Sequence, residues 1–588
     1  MSAGTPGILN GNLNLNVRQG KFNFFTSGSY NEGKGKARGE TSRENRDNGV
    51  AKDYFYQSST NERTRQFRSF RFGTDFFMDN RNTVSLIQDF GSGRFSNNEY
   101  QDQEYYDVNK QLLYTGERTS DGRFGFNRNS TRINYKHTFP TPGKELTADL
   151  TYNYGKRSDD VNIYNNFFDT NGAVYKPSTE VRNSGNNNNN QFTFQSDFVN
   201  PINDKTKFEA GLRSYFNDYK SYYNSYSVNN GQETKLPLSN NYAYKEFINA
   251  IYATFSQKQG NFSYQVGLRA EYSRFDGELV DSAFKFGYKN PSELKNIWDG
   301  LFPSIFLTQK LNENDQIQLN YSRRIRRPDF WQLSPFVDIS DPMNLRQGNP
   351  LLKPEYINSF ELNYNKTYTS GSLLAVLYFR GNPGDITQYS DTITAQQYSE
   401  LQTAGVDPNA ILNTFINGNT TNRYGAELTW QQKWGSFDIT PTIDLQYRTV
   451  NATVKNLDLS NEGLNWDAKL IINYKIIAEK SPVFNNLGFQ LIGEYESPEV
   501  ISQGTTKSEY GVDFAMRKDF LKKNKGTITF AINDAFNTRR WGNVYDTESF
   551  YQDSYRRWSV RSFRVSFSYK FGNADFSLFN KRDKEIDD

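Results

Sequence analysis

Between Arg561 and Gly572 the chain runs RSFRVSFSYKFG, with Phe563, Val565, Phe567, Tyr569 and Phe571 alternating with Arg564, Ser566, Ser568 and Lys570. Strict alternation sends successive side chains to opposite faces of an extended strand, so one face of this segment is apolar and the other polar. The same phase recurs in ELTADLTYNY (Leu146, Ala148, Leu150, Tyr152, Tyr154), QFTFQSDF (Phe192, Phe194, Phe198), FSYQVGLRAEY (Phe262 to Tyr272) and LNWDAKLIINY (Leu464 to Tyr474). Each run is close to the ~9 to 11 residues that a tilted strand needs to cross a bilayer. The longest apolar run, LLAVLYF at Leu373 to Phe379, is far short of the ~18 residues of a spanning helix. Without such a helix, a chain that crosses lipid must close into a β-barrel, where every backbone amide and carbonyl in the bilayer is paired.

Composition separates this reading from disorder and from several chemistries. Only 35% of the 588 residues are hydrophobic, yet 47 Phe, 39 Tyr and 7 Trp make 16% of the chain aromatic, which disordered segments are not. Lys+Arg (69) and Asp+Glu (66) nearly cancel, so the positive field of a nucleic-acid binder is missing. There is no cysteine, which excludes disulfides, thiolate metal sites and cysteine nucleophiles. The opening MSAGTPGILNGN has neither the basic start nor the apolar stretch of a secretory signal.

Alternating runs place 21 strands between 11–18 and 557–571, joined by two kinds of connection. Short turns (Met78 to Asn82, Asn200 to Thr206, Ser256 to Asn261, Thr369 to Gly371) interleave with long polar stretches at 31–63, 92–122, 156–190, 327–355 and 382–420. This asymmetry belongs to all-β, antiparallel outer-membrane barrels, with short turns in the periplasm and long loops outside the cell. Strands 11–18 and 557–571 then both descend, which cannot close an even antiparallel circle. The expectation is a transmembrane barrel of 22-stranded type with about 21 strands in this chain, one ascending N-terminal strand being absent. Residues 1–10 would be an N-terminal remnant, 11–571 the barrel and 572–588 a disordered periplasmic tail.

The stretch YSRRIRRPDFWQLSPFVDISDPMNLRQGNPLLKPEYINSFELNY, Tyr321 to Tyr364, resembles the signature of TonB-dependent outer-membrane receptors in the form found in their outer membrane protein β-barrel subfamily. The matching residues are Arg326, Arg327, Pro328, Trp331, Pro335, Asn349, Pro350, Leu352, Pro354 and Glu355. The resemblance implies a 22-stranded barrel in the bacterial outer membrane, a plug domain in its lumen, and uptake of an extracellular solute driven through the TonB system. It admits a surface lipoprotein as a further partner, beside the outer-membrane lipid. Nothing in the chain corresponds to the plug or to the TonB-contacting box, so the expectation is an N-terminally truncated receptor; a passive pore or a structural subunit of an outer-membrane assembly is the alternative. A soluble, layered carbohydrate-binding protein would also use alternating strands and surface aromatics.

Within strand 316–326, outward Ile317, Leu319 and Tyr321 assign Arg324 and Arg326 to the lumen and raise Arg323 to the headgroup level. Pairing of these arginines with Asp329, Asp338, Asp341 and Glu355 would hold the loop closed over the barrel; Arg324, Arg326 and Trp331 could otherwise form a ligand vestibule. A nucleic-acid hook lacks its field. His137, the only histidine, reads as an ordinary interfacial residue, which removes histidine triads and zinc sites and speaks against an enzyme. The acidic stretch Gln101 to Asp121 lacks the spacing of a calcium loop and reads, with NSGNNNNNQ at Asn183 to Gln191, as solvated loop. The basic turn Arg517 to Gly526 faces the periplasm, and Tyr321, Trp430, Trp434 and Trp558 suit the interfacial girdles. No cofactor or metal is expected.

Overall fold

The computed structural model describes all residues except 237–238, 340–342, 455–456, 479, 522–523, 558–560 and 573–588. Twenty-two antiparallel strands close into one barrel, each paired with its neighbour in the chain. The circle closes through Ser2–Gly4, whose Ala3 pairs with Leu9 on one side and Val565 on the other. The α-amino group of Met1 donates to the Phe567 carbonyl at 2.7 Å. The twenty-second strand, expected outside the chain, is thus three residues long and lies within it. Residues 8–10, expected in a remnant, open the strand Ile8–Gln19.

Alternation places the apolar phase outside. Leu13, Phe72, Leu86, Ile133, Leu319, Ile443 and Val565 are each 43–52% exposed on the outer wall, which is the expected state of side chains that meet lipid. No described helix is long and apolar enough to cross a membrane, so the crossing is made by strands. At one end the strands turn tightly. Gly20, Gly260 and Gly435 adopt φ of +59°, +59° and +57° at the first position of two-residue turns, a role for which glycine is suited. Each is followed two residues later by an outward ring, Phe22, Phe262 or Phe437. Trp434 and Trp430 stand at the same end, Trp430 donating to the Tyr368 hydroxyl at 2.6 Å. These rings form the periplasmic girdle, and Tyr321, its ring tilted against Phe360 at 4.6 Å, belongs to the outer one. Trp558 lies outside the described residues.

The other end departs from the sequence reading. Stretches 31–63, 92–122 and 156–190 are not loops but the outer halves of very long strands: Phe22–Asp47, Val50–Phe77, Asn82–Tyr106, Leu112–Thr138, Glu145–Asp169 and Val174–Asn203. At ~3.3 Å per residue and a tilt near 40°, 25 to 30 residues rise roughly 60 to 75 Å, more than twice the ~25 Å apolar band. Beyond the bilayer both faces meet water, so the apolar phase that reveals a strand disappears while its hydrogen-bonded ladder continues. The run Asn183 to Gln191 is part of such a ladder, paired with Val161 to Asn153 on one side and Ser225 to Asn217 on the other. The acidic stretch is likewise strand, turning only at Asp107, whose carboxylate accepts from the amides of Asn109 and Gln111 at 2.9 and 2.8 Å.

Because the first two strands are short, the wall above them is completed from elsewhere. Phe550–Arg557 pairs with Asn45 to Arg38 of the long strand Phe22–Asp47, and Trp541–Asp546 pairs with it in turn. Stretches 327–355 and 382–420 do hold long connections, and they fold. They contribute the helices Phe330–Leu333 and Ala395–Leu401 and a three-stranded sheet, Asn344–Arg346 parallel to Ile411–Asn417, which is antiparallel to Ile386–Thr392.

Candidate functional site: a capped vestibule

The described residues of loops 327–354 and 384–419 form a cap inside the outer rim. Both helices begin with reciprocal caps: the Asp329 carboxylate accepts from the Gln332 amide (2.9 Å) while Gln332 Oε1 accepts from the Asp329 amide (3.0 Å), and Thr394 with Gln397 repeats the arrangement. Such boxes satisfy amides that a helix cannot pair itself, and so let very short helices persist. The receptor-like signature builds the root of this cap. Asn349 donates from Nδ2 to the Phe415 carbonyl (2.9 Å) and accepts at Oδ1 from the Leu351 amide (2.9 Å). Gln347 Nε2 donates to the Pro335 carbonyl at 2.8 Å. Leu352, 2% exposed, packs with Tyr242, Phe275, Phe286 and Leu333, and Pro328 is buried beside them in the chain, while Pro350 and Pro354 are half-buried.

The cap is fastened to inward-facing residues around the rim. Arg43, 1% exposed, donates to Gln552 Oε1 (2.9 Å), the Met343 carbonyl (3.0 Å) and Asn344 Oδ1 (2.5 Å). Arg118 donates to Asn165 Oδ1 (2.7 Å) and the Ile339 carbonyl (2.8 Å). On another side, Gln503 Oε1 accepts from the Ser390 amide at 2.7 Å. Ile339, Leu345, Leu401 and Ala410 of the cap share an apolar core with Ile163 and Val181 of the wall. Deeply buried guanidinium groups are tolerated here because Nε and both Nη atoms of Arg43 and both Nη atoms of Arg118 reach carbonyl or amide oxygens.

Beneath the cap the lumen has two unlike walls. On the long strands, Phe67, Phe95 and Phe126 stack at 5.8 to 6.0 Å, and a space of about 410 Å³ is lined by Phe95, Phe124, Gly125, Phe126 and Arg157. A Cβ on Gly93 would come within 2.2 Å of the Phe126 ring; that glycine lets the ring lie flat on the wall. The Arg157 guanidinium stands 5.7 Å from the Phe124 ring and 5.7 Å from Trp331 of the cap. On the short strands, Arg380, Arg423 and Arg448 face the lumen side by side in direct register. Arg380 is 3.5 Å from Glu361 and Arg448 is 2.9 Å from Glu499, whereas Arg423 makes no ion pair among the described residues.

The arginine-rich stretch thus divides between roles. Arg326 pairs with Glu355 at 2.7 Å, an ion pair rather than an aligned hydrogen bond. Arg327 pairs with Glu271 of the wall, not with a carboxylate of its own loop. Arg324 is exposed in the lumen with no ion pair among the described residues. Arg323 is on the outer phase but not free at the headgroups: it donates to the Trp298 and Leu301 carbonyls and lies 4.7 Å from the Tyr356 ring. Asp329 serves as a helix cap, Asp338 exchanges backbone hydrogen bonds with Arg346, and Asp341 lies outside the described residues. Trp331, 63% exposed, turns toward Arg157 of the lumenal wall, while Phe330 and Phe336 of the cap pack on Tyr219, Tyr223 and Tyr242. His137 Nδ1 lies 2.7 Å from Asn82 Oδ1, its ring edge-on to Phe139. Arg157, Phe124 and Arg423 escaped the sequence reading, because only cross-strand register reveals that they converge.

Glu355, the outermost residue of its strand and beyond the apolar belt, has no exposed surface. Burial pushes its carboxyl up to about 7, against the Ile386 amide (2.7 Å) and the Arg326 guanidinium, which favour the charged form, while Asp385 opposes it.

A closed barrel of 22 strands, aromatic at both lipid interfaces and capped from within by its own outer loops, defines an outer-membrane β-barrel. Residues 137–569 match the model of the outer membrane protein beta-barrel family, more than half of the chain, and the chain belongs to that family. It resides in the bacterial outer membrane. No curated protein matches it by sequence. Among solved structures it is similar to the copper transporter OprC (TM-score 0.60, 10% identity), to BauA, the ferric preacinetobactin receptor from Acinetobacter baumannii (0.57, 11%), and to FyuA, the ferric yersiniabactin uptake receptor from Yersinia pestis (0.57, 11%). Each likeness covers 97% of this chain and 79% of the other. At these identities the shared property is the receptor-barrel fold, and these neighbours are transport receptors rather than enzymes.

Proposed function

We propose that this chain is the barrel of a TonB-dependent receptor that takes up an extracellular solute, and that the capped vestibule is where the solute first binds. In this reading Trp331, Arg157 and the phenylalanine wall provide stacking surface and one cation, Arg324 and Arg423 offer cations opposite, and loops 327–354 and 384–419 are the gate. The observation that carries it is the cap itself: the chain folds its own outer loops inward onto the rim, yet leaves Trp331 and Arg324 exposed to the lumen. A plug domain and the energising TonB complex enter by family resemblance, as does the outer-membrane lipid. The solutes named for its structural neighbours, ferric chelates and copper, do not select among solute classes for this chain. The passive-pore alternative predicts a mouth that conducts freely.

A Cβ built on Gly405 of the cap would lie 3.5 Å from Thr179 Cβ of the wall, within the span of a disulfide. Gly405 has φ +77°, so cysteine there costs about 1 to 2 kcal/mol; in a cysteine-free chain the pair has no competing thiol. In planar bilayers in KCl, oxidised G405C/T179C is expected to stay closed and to gain openings on reduction, while replacing 331–351 by a Gly-Ser linker opens a steady conductance. Equal conductance of the oxidised, reduced and cap-deleted proteins would remove the gate. Steady conductance of the unmodified protein would favour the passive pore.

A further inference from the structure

The outer face of the long strands carries a cationic groove at one height. Outward phase is fixed by Phe70 and Phe72, Leu86 and Phe90, and Ile133, each 43–49% exposed. Arg68, Ser92, Asn127, Lys156 and Asn188 share that phase, in register across five neighbouring strands, and Arg94 stands beside them one step higher. Together they line a depression of about 590 Å³. Its outward-phase lining sets the small Ser92, Gly125 and Ser158 among the long side chains of Arg68, Arg94 and Lys156, and Gly93, Phe126, Arg157 and Asn187 of the opposite phase also border it. No carboxylate lines it, and Arg68, Arg94 and Lys156 are exposed and in no ion pair among the described residues. Glu32, across the ladder from Gln66, accepts from the Tyr30 hydroxyl at 2.6 Å. Asp121 and Glu62 line a separate hollow farther from the membrane.

Height gives this charge its meaning. Arg68 stands nine residues along its strand from Phe77, the periplasmic end, a rise of roughly 23 Å at the usual pitch and tilt. The apolar band of such barrels is ~25 Å tall, so the groove opens at the upper lipid interface, directly above Phe70 and Phe90. Two planar guanidiniums and an ammonium around small hydroxyl and amide side chains suit a phosphate, which takes charge-assisted hydrogen bonds from several donors. Basic clusters at headgroup level attract anionic lipids by the same physics.

We propose that Arg68, Arg94 and Lys156 form a docking site for the phosphate of an outer-leaflet lipid headgroup, with the acyl chains lying against Phe70, Phe72 and Phe90 below. This site is on the opposite face of the wall from the vestibule and stands or falls independently of solute uptake. It gives the projecting wall a fixed contact with the leaflet from which it rises.

The test uses the folded full chain in detergent micelles doped with bisphosphorylated lipid A, with the same lipid dephosphorylated, or supplied with inorganic phosphate alone, and reads bound lipid by native mass spectrometry. The phosphorylated lipid is expected to bind, with affinity falling as salt rises. R68Q/R94Q/K156Q should bind it at least tenfold more weakly, down to the level of the dephosphorylated lipid, while R68K/R94K/K156R keeps most of the affinity. Folding of each variant is checked by heat-modifiable gel migration; should the triple variant fail to fold, R94Q alone is expected to lose about threefold. Equal binding of the two lipids, or unchanged binding by the glutamine variants, would overturn the site. Inorganic phosphate that competes as well as the lipid would overturn the lipid assignment in favour of a free anion.

Discussion

The barrel strands between Phe22 and Asn229 are 24 to 30 residues long, whereas the barrel strands between Leu301 and Tyr569 are 8 to 16. Both halves cross the same bilayer, which needs only ~9 to 11 residues per strand. The difference lies outside the cell. The first half extends its ladders upward into a wall; the second, apart from Trp541–Asp546 and Phe550–Arg557, which complete that wall, commits its outer residues to loops that turn inward and rest on it. Arg43 and Arg118, which hold the cap, belong to the first half, and the segments they hold, around Ile339 and Met343, belong to the second. Projection and closure are therefore complementary uses of sequence beyond the belt.

A charge placed at two heights separates the two halves most strongly. Leu319→Arg, in the belt, is expected to lose about 2 to 4 kcal/mol of folding stability in lipid. Asn98→Arg, on the outer phase of the projecting wall opposite Glu62, should change it by less than about 0.5 kcal/mol. Urea titrations in liposomes measure both, and equal costs would mean that the wall does not rise out of the bilayer. Next in size is the anchorage between halves. Arg43→Ala removes bonds to Met343, Asn344 and Gln552 and is expected to loosen the cap by about 2 to 3 kcal/mol, seen as faster amide exchange across 344–346 and 411–417 with the belt strands unchanged.

A smaller effect concerns pH. Glu355 has its carboxyl raised, chiefly by burial, so the capped state is favoured while it is protonated. That contribution is complete below its ordinary value near 4.5 and is lost as pH rises through about 7. Discounted for nearby water, cap stability should fall by about 1 kcal/mol over that window, and Glu355→Gln should flatten the profile of cap exchange against pH. A profile that rises with pH would contradict the assignment. Smallest is Trp331→Ala: with 63% of its surface exposed it should alter stability by less than about 0.5 kcal/mol, while removing the ring beside Arg157 that the vestibule presents.

What the sequence made legible follows the lipid. Phe563 to Phe571 and Leu464 to Tyr474 betray their faces because one side must be apolar, and Gly-x-Phe at Gly20, Gly260 and Gly435 marks turn and girdle together. Above the belt that contrast vanishes, so Asn183 to Gln191 resembled loop although it is ladder, and Ser2–Gly4 is too short to show any period. The receptor-like signature located Asn349, Leu352 and Glu355, but their work as the root of a cap depends on partners such as Phe415 and Ile386, more than 30 residues distant. Phe126 could be foreseen only by knowing that Gly93 lies opposite in register.

Closure of the lumen from within by the outer loops, with the long strands standing free outside, can be read from two adjacent single cysteines. Ser120 faces the capped interior and is 7% exposed, while Asp121 faces outward on the same strand, beside Glu62 and Tyr164. With a bulky polyethylene-glycol maleimide added to intact cells, D121C is expected to be labelled and S120C protected, with S120C becoming reactive once 331–351 is replaced by a linker. Equal labelling of the two in the intact protein would contradict the account.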